Sequence, residues 1–176
     1  MKMNLCNQRE RTGFTLLELM VSTAMLAMLS TACMMLVRTS YTAWSRHEDD
    51  HAQRHQSLAV LRHIARQARQ AKAVMAVSTS TDTSGTLTLL TVDDKLLVWD
   101  HNASTKEVLF GVTTATDVLA TGIEELSFVG IKADGTTPTI EPGVIHSVLC
   151  TSKINLSRPS GTEVVTNSCR AWLRAW

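Results

Sequence analysis

The residue types most suggestive of catalysis lie together in the segment HEDDH, which runs from His47 to His51. Two histidines four positions apart share one face of a helix and can hold zinc, and Glu48 could then act as the general base of a hydrolase. The two central positions are Asp49 and Asp50, where such an enzyme needs apolar groups to wall a dry cleft. We therefore interpret the segment as a solvated, charged helix. We predict no metal at His47 and His51 and keep a membrane-anchored zinc hydrolase as a remote alternative.

The rest of the chain offers no catalytic constellation. His101 and His146 are far apart in sequence, and no serine or cysteine motif lies beside either. Asp93, Asp94 and Asp100 could hold calcium, but their spacing matches no defined calcium-binding loop. The sequence therefore predicts a protein that is not an enzyme and that needs no cofactor.

Net charge argues against a nucleic-acid binder. The 176 residues carry a formal net charge of +1, without the broad basic field that such proteins usually have. Arg62, Arg66, Arg69 and Lys72 form a local basic cluster, but no aromatic residues are interleaved with them. We interpret this cluster as a solvated helix face and do not favour nucleic acid as a partner.

The N-terminal part of the chain contains a long apolar run from Phe14 to Val37. It contains a single charged residue, Glu18, and is long enough to cross the hydrocarbon core of a bilayer as a helix. Lys2, Arg9 and Arg11 precede it, as in a secretory signal. The run is longer than the core of a signal peptide and lacks a convincing cleavage site after it. We therefore predict a retained membrane anchor followed by a soluble region.

The start of this run carries a family resemblance. The residues GFTLLELM at 13–20, behind a short basic leader, resemble the processing motif of type IV prepilins and type II secretion pseudopilins. The resemblance implies that prepilin peptidase cuts between Gly13 and Phe14 on the cytoplasmic face and that the new Phe14 amine is methylated. The leader, residues 1–13 with Cys6, would be lost.

The resemblance also implies a role for Glu18 in assembly. A carboxylate within the bilayer costs about 2.5–3.5 kcal/mol on insertion scales. A neighbouring subunit's free Phe14 amine would be charged and poorly solvated as well, so bringing the two groups together neutralises both. Such a pair fixes the axial stagger of packed helices more securely than it adds net stability.

The absence of glycine and proline between Gly13 and Gly85 predicts one continuous helix from Phe14 to about Val77. Within it, residues 14–37 form the transmembrane and assembly part, and residues 38–77 form a stem. The stem is polar nearly all round up to Ser57, so we expect that part to be exposed. An apolar stripe then predicts packing on a sheet; its members are Leu58, Leu61, Ile64, Ala65, Ala68, Ala71 and Met75.

Residues 78–176 read as a β-rich head. Short runs of β-forming residues alternate with turn signals. They are TLTLLTV, KLLVWD, EVLFGV, VLATGIEELSFVGI, GVIHSVLCTSKINLS and EVVTNSCRAWLRAW. The first two should form a hairpin across Asp93-Asp94. Cys150 and Cys169 could meet across the last two strands as a disulfide worth about 3 kcal/mol; two buried free thiols are the alternative. The predicted fold is α+β, a long N-terminal helix packed on a small antiparallel sheet.

The sequence of the head resembles one subgroup of these proteins in particular. The order of LLVWD, KEVLFG, VLATGIEELSFVGI and VLCTSKINL is similar to the J-type minor pseudopilin of type II secretion and to minor pilins of the W type. This implies a single-pass protein of the inner membrane with its head in the periplasm, which helps to initiate or cap a short filament. Its expected partners are other pseudopilins or pilins, prepilin peptidase, the inner-membrane assembly platform and membrane lipid. A minor type IV pilin serving adhesion, motility or DNA uptake is the alternative.

Overall fold

The structure is a computed structural model that describes residues 14–158 and 161–174. The predicted leader, residues 1–13 with Cys6 and Gly13, lies outside the described residues. The chain divides into two compact units, one ending at Ser45 and the other beginning at Arg46. A single helix, α1 (Leu16–Gln70), runs through both units.

In the first unit, α1 is apolar and its side chains are exposed. It is the one helix among the described residues that is long and apolar enough to cross a membrane, with a mean hydropathy of 1.9 over its best window and none of that window buried. The hydroxyls of Ser30 and Thr39 donate to the backbone carbonyls of Leu26 and Met35, both at 2.8 Å. Such bonds let hydroxyl groups enter lipid without an unsatisfied donor.

The second unit combines the end of α1 with two antiparallel sheets. The strands are β1 (Ala71–Val77), β2 (Thr86–Thr91), β3 (Leu96–Asn102), β4 (Glu107–Val112), β5 (Asp117–Thr121), β6 (Glu125–Ile131), β7 (Pro138–Thr139), β8 (Ser147–Arg158) and β9 (Gly161–Trp172). One sheet has the order β1-β2-β3-β4-β5 and the other β7-β6-β8-β9. A 3-10 turn, Pro142–Val144, precedes β8. The predicted α+β class, with a helix packed on antiparallel sheet, is confirmed.

The core of the second unit lies between α1 and the two sheets. Val60, Leu61, Ile64 and Ala68 of α1 are buried against the inner faces of the strands. The inner faces supply fully buried side chains from both sheets, among them Trp99 of β3, Leu126 and Phe128 of β6, and Ile154 and Leu156 of β8. Burial of these large apolar groups, at about 1.5–3 kcal/mol each, is what holds the helix on the sheets.

The predicted helix is too long at its C-terminal end. It stops at Gln70, and residues 71–77 form β1, which pairs with β2 through Val74 opposite Leu89. Ala71 and Val74 are buried in this strand, whereas Met75, predicted to lie on the helical stripe, is exposed. Helix propensity is a weak prior, and the ladder with β2 overrides it here.

The polar part of the stem was wrongly predicted to be exposed throughout. Asp50 is 8 % exposed, and Ser57 is fully buried. The Ser57 hydroxyl lies 3.1 Å from the Ser152 hydroxyl and accepts a hydrogen bond from the Asn167 amide at 3.0 Å. Polar contacts to β8 and β9 therefore extend the packed face of α1, where the sequence suggested that apolar residues were needed. Leu58, placed in the predicted apolar stripe, is 37 % exposed.

Most of the predicted strands are found. The hairpin across Asp93-Asp94 is confirmed as β2 and β3, with Asp94 at a positive φ of 56° in the turn. The run VLATGIEELSFVGI, in contrast, divides between two sheets. Its first part lies in β5 and its second in β6, and Gly122 between them has a φ of +75°, which favours glycine.

Candidate functional site

The start of α1 places Phe14 and Glu18 on an open surface. Phe14 precedes the helix and is 78 % exposed, and Glu18 lies in the first turn. The Glu18 side chain is likewise exposed. Glu18 is also the fifth residue counted from Phe14. Both groups are therefore available to a neighbouring helix.

Sequence reasoning missed a helix cap at this site. The Glu18 N–H donates to the Thr15 hydroxyl at 3.3 Å, and the Leu19 N–H donates to the Thr15 carbonyl at 3.2 Å. Thr15 is therefore the N-cap, and the spacing Thr15-x-x-Glu18 is that of a capping box, a signal that the sequence does carry. A carboxylate in the first turn also faces the positive end of the helix dipole, which offsets part of the cost of keeping it in an apolar helix.

The structure does not assemble the histidines of HEDDH into a metal centre. His51 stacks on His55 with ring centroids 4.4 Å apart, and Asp50 turns to Arg158. No group of three or more histidine, cysteine, aspartate or glutamate side chains in the described chain could hold a metal ion.

Asp94 and His101, two further residues singled out in the sequence, make contacts within the head. Asp94, one of the calcium candidates, forms an ion pair with Lys72 at 3.0 Å. His101 is buried, with its two ring nitrogens 3.2 Å from the Ser84 hydroxyl and 3.0 Å from the Ile123 carbonyl. These contacts hold the loop before β2 and the loop after β5 in place, so His101 serves the packing of the head.

Cys150 and Cys169 lie directly opposite each other in the ladder of β8 and β9. Cys150 is buried, and the half-buried Cys169 thiol donates to the Leu61 carbonyl of α1 at 3.5 Å. A hydrogen bond from the Cys150 thiol lowers the pKa of Cys169, and the nearby Arg69 acts in the same direction. The same hydrogen bond and burial raise the pKa of Cys150. Cys169 is therefore the sulfur that ionises first.

The predicted basic cluster is divided by the end of the helix. Arg62, Arg66 and Arg69 lie exposed on α1, whereas Lys72 lies on β1 and bonds Asp94. The three arginines and Arg174 line a groove beside β9. The cluster is therefore a local feature of one groove rather than a stripe along the helix.

One known family model matches the region around the start of α1. Residues 8–34 match the prokaryotic N-terminal methylation motif, the signal of type IV pilins. This is a prepilin-type N-terminus. No curated protein and no solved structure matches the chain.

The fold is the one expected behind a prepilin-type N-terminus. A long N-terminal helix packed on antiparallel sheets is a pilin-like architecture, and an exposed apolar helix behind a pilin signal suits anchoring in the inner membrane. The motif also implies processing by prepilin peptidase and assembly with other pilin subunits. The motif thus supports a pilin- or pseudopilin-like substrate of that peptidase.

Proposed function

We propose that this chain is a minor pseudopilin, a structural subunit that helps to initiate or cap the pseudopilus of a type II secretion system. It is cut between Gly13 and Phe14, methylated on the Phe14 amine, and held in the inner membrane with its head in the periplasm. Its partners are sibling pseudopilins and the inner-membrane assembly platform. It performs no catalysis itself, and a separate ATPase supplies the energy for assembly.

The observation that carries the proposal is the placement of Glu18. It stands in the first turn of an exposed, membrane-length helix, four residues after Phe14, inside a matched methylation motif. A carboxylate exposed on an apolar helix is unfavourable for an isolated subunit in lipid. Two such helices relieve that cost when the Glu18 carboxylate of one meets the Phe14 amine of the next. This favours a role in assembly over simple anchoring.

The head supports a minor subunit. Its order of strand sequences is similar to J-type pseudopilins, and retention of Glu18 argues against the tip subunit that characteristically lacks this glutamate. A minor type IV pilin is the second candidate, because W-type minor pilins share that order. A deletion strain separates the two. Loss of protein secretion supports the pseudopilin, and loss of twitching or transformation with normal secretion supports the pilin.

Mass spectrometry of the mature amino terminus tests the proposal most directly. The protein is purified from membranes of its native host, with and without prepilin peptidase. We expect a chain beginning at N-methylated Phe14 in the first case and a chain that retains residues 1–13 in the second. A mature protein that keeps its leader in both strains, or one released without its apolar helix, overturns the proposal.

A further inference from the structure

A groove of about 860 Å³ lies between the C-terminal half of α1 and the end of β9. Its floor is apolar, with Leu58, Ala65 and Leu173, and its helix side carries Arg62, Arg66 and Arg69. Arg174 stands at the β9 side, and none of the lining residues is acidic. The groove lies wholly within the second unit. It therefore combines apolar surface with concentrated positive charge in a chain whose net charge is only +1.

The arginines of this groove have no acidic partner in the described chain. The ion pairs within residues 14–158 and 161–174 use Lys72, Lys106, Lys153 and Arg158. Arg62 and Arg66 are four residues apart on α1, and Arg66 and Arg69 are three apart, so like charges face one another at spacings that destabilise a helix. An acidic ligand would relieve this repulsion, and arginine binds carboxylates in two-pronged, charge-assisted hydrogen bonds.

The groove is also bordered by an unpaired strand edge. β9 is the last strand of its sheet, and within the described residues no strand pairs with its outer side. The Leu173 N–H donates to the His146 carbonyl at 3.0 Å, and the register from Ser147 opposite Trp172 onward has no irregularity. Backbone groups alternate along an antiparallel ladder, so the odd-numbered residues bond to β8. The even-numbered residues, including Ser168 and Trp172 in the groove, direct their backbone groups to the free edge.

Beside the groove, two residues of β9 run alongside four residues of α1. Asn167 contacts Ser57, and Cys169 contacts Leu61. Two residues of a strand span about 6.6 Å, and four residues of a helix span about 6 Å. A strand added to the free edge of β9 would therefore present every second side chain to α1 at nearly the spacing that separates Arg62 from Arg66. The pattern that fits is an acidic residue at every second position.

We propose that this groove binds an extended acidic segment of a partner subunit, which adds as a strand to the free edge of β9 and places alternate carboxylates on Arg62, Arg66 and Arg69. The partner is a subunit of the assembly, so this inference rests on the proposed function. Strand addition supplies affinity through backbone hydrogen bonds, and the arginines supply selectivity. The exposed Trp172 gives the far face of the added strand an apolar contact.

The test uses the full-length protein in an uncharged detergent and a fluorescent peptide, TEVEVET, capped at both ends. We expect saturable binding by anisotropy at low ionic strength, about tenfold tighter than that of TQVQVQT. Two further peptides carry N-methyl groups on the amides of either the glutamates or the valines. Because alternate amides face β9, one methylated peptide should lose binding and the other should keep it.

Matched variants locate the site. Arg66→Gln should weaken binding of TEVEVET at least about threefold, whereas Arg54→Gln, an exposed arginine of α1 outside the groove, should leave it unchanged. The proposal is overturned if no peptide binds, if both methylated peptides bind equally well, or if a single-stranded oligonucleotide of the same charge competes as well as the acidic peptide. These measurements do not depend on leader processing, so their failure would leave the amino-terminal test of the proposed function unaffected.

Discussion

Asp50 of α1 and Arg158 of β8 form an ion pair that ties the helix to the end of the last hairpin. The Arg158 guanidinium also donates to Glu163 of β9 at 2.7 Å, so one side chain joins three elements. Hydrogen bonding to Glu163 and the charge of Asp50 raise the pKa of Arg158. Together with the hydrogen bonds of Ser57, this contact packs the polar part of α1 where the sequence predicted an exposed stem.

Removing the Asp50 carboxylate should therefore destabilise the head. In Asp50→Ala the helix loses its ion pair with Arg158 of β8, and we expect the thermal midpoint of the detergent-solubilised protein to fall by roughly 3–5 °C. Asp49→Ala is the matched control, because Asp49 is exposed and makes no ion pair among the described residues. Equal midpoints for the two variants would show that the ion pair contributes nothing to the packing.

His63 should make the stability of the head sensitive to mild acid. Burial, with the nearby Arg66 adding to it, lowers the pKa of His63 below its ordinary value of 6.5. The unfolded chain therefore binds a proton at a higher pH than the folded chain does. The contribution of neutral His63 to the stability of the head is fully present above pH 6.5. It declines as the pH falls through 6.5 toward the lower pKa of the folded state. The Trp99 indole also donates to Nδ1 of His63 at 3.3 Å, a bond that the protonated ring cannot accept.

A pair of variants measures this contribution. We expect His63→Gln to lose less stability than the unaltered protein between pH 7.5 and 5.5, as measured by urea unfolding at each pH. His55→Gln, which removes an exposed histidine of the same helix, should retain the full decline. A decline that is the same in both variants would place the pH dependence elsewhere in the chain.

The cross-strand cysteines should form a disulfide outside the cytoplasm. Cys150 and Cys169 are opposed in the ladder, and the lowered pKa of Cys169 provides the thiolate that oxidation requires. We expect protein from native membranes, unfolded without reductant, to be alkylated at Cys33 and not at these two positions. Reduction should then lower the free energy of unfolding by about 3 kcal/mol.

A control variant separates this effect from general reduction. In Cys150→Ala the reductant should have no further effect on stability, since the bond cannot form. Cys33→Ala should respond to the reductant as the unaltered protein does. Alkylation of Cys150 and Cys169 without any reductant would support the alternative of two free thiols.

The sequence predicts this fold where the pattern is local and fails where distant contacts decide. The apolar run, the hairpin across Asp93-Asp94 and the opposed cysteines all follow from spacing along short segments. The end of α1 does not, because residues 71–77 have ordinary helix formers and become a strand through pairing with β2. The burial of Asp50 also escapes prediction, since its partner Arg158 is over a hundred residues away. At the start of α1, the spacing Thr15-x-x-Glu18 is a local capping signal that the sequence alone carries.

The Glu18 carboxylate should be needed for assembly and not for membrane insertion. Glu18→Gln keeps the shape of the side chain and removes its charge, so insertion into the membrane should be unchanged or improved by the loss of a cost of about 2.5–3.5 kcal/mol. Cleavage and methylation at Phe14 should proceed, since both precede assembly. What should be lost is co-assembly, because the variant can no longer compensate a neighbour's amine. We expect at least a tenfold drop in the protein recovered by crosslinking to sibling subunits.

The matched control is Glu48→Gln, which removes an exposed carboxylate from the same helix outside the apolar run. It should be processed and crosslinked as the unaltered protein is. If Glu18→Gln assembles equally well, Glu18 serves the helix start alone, through its place in the capping box with Thr15. Thr15→Ala discriminates further. It removes the cap and leaves the charge, so a defect in assembly confined to Glu18→Gln assigns the effect to the carboxylate rather than to the stability of the first turn.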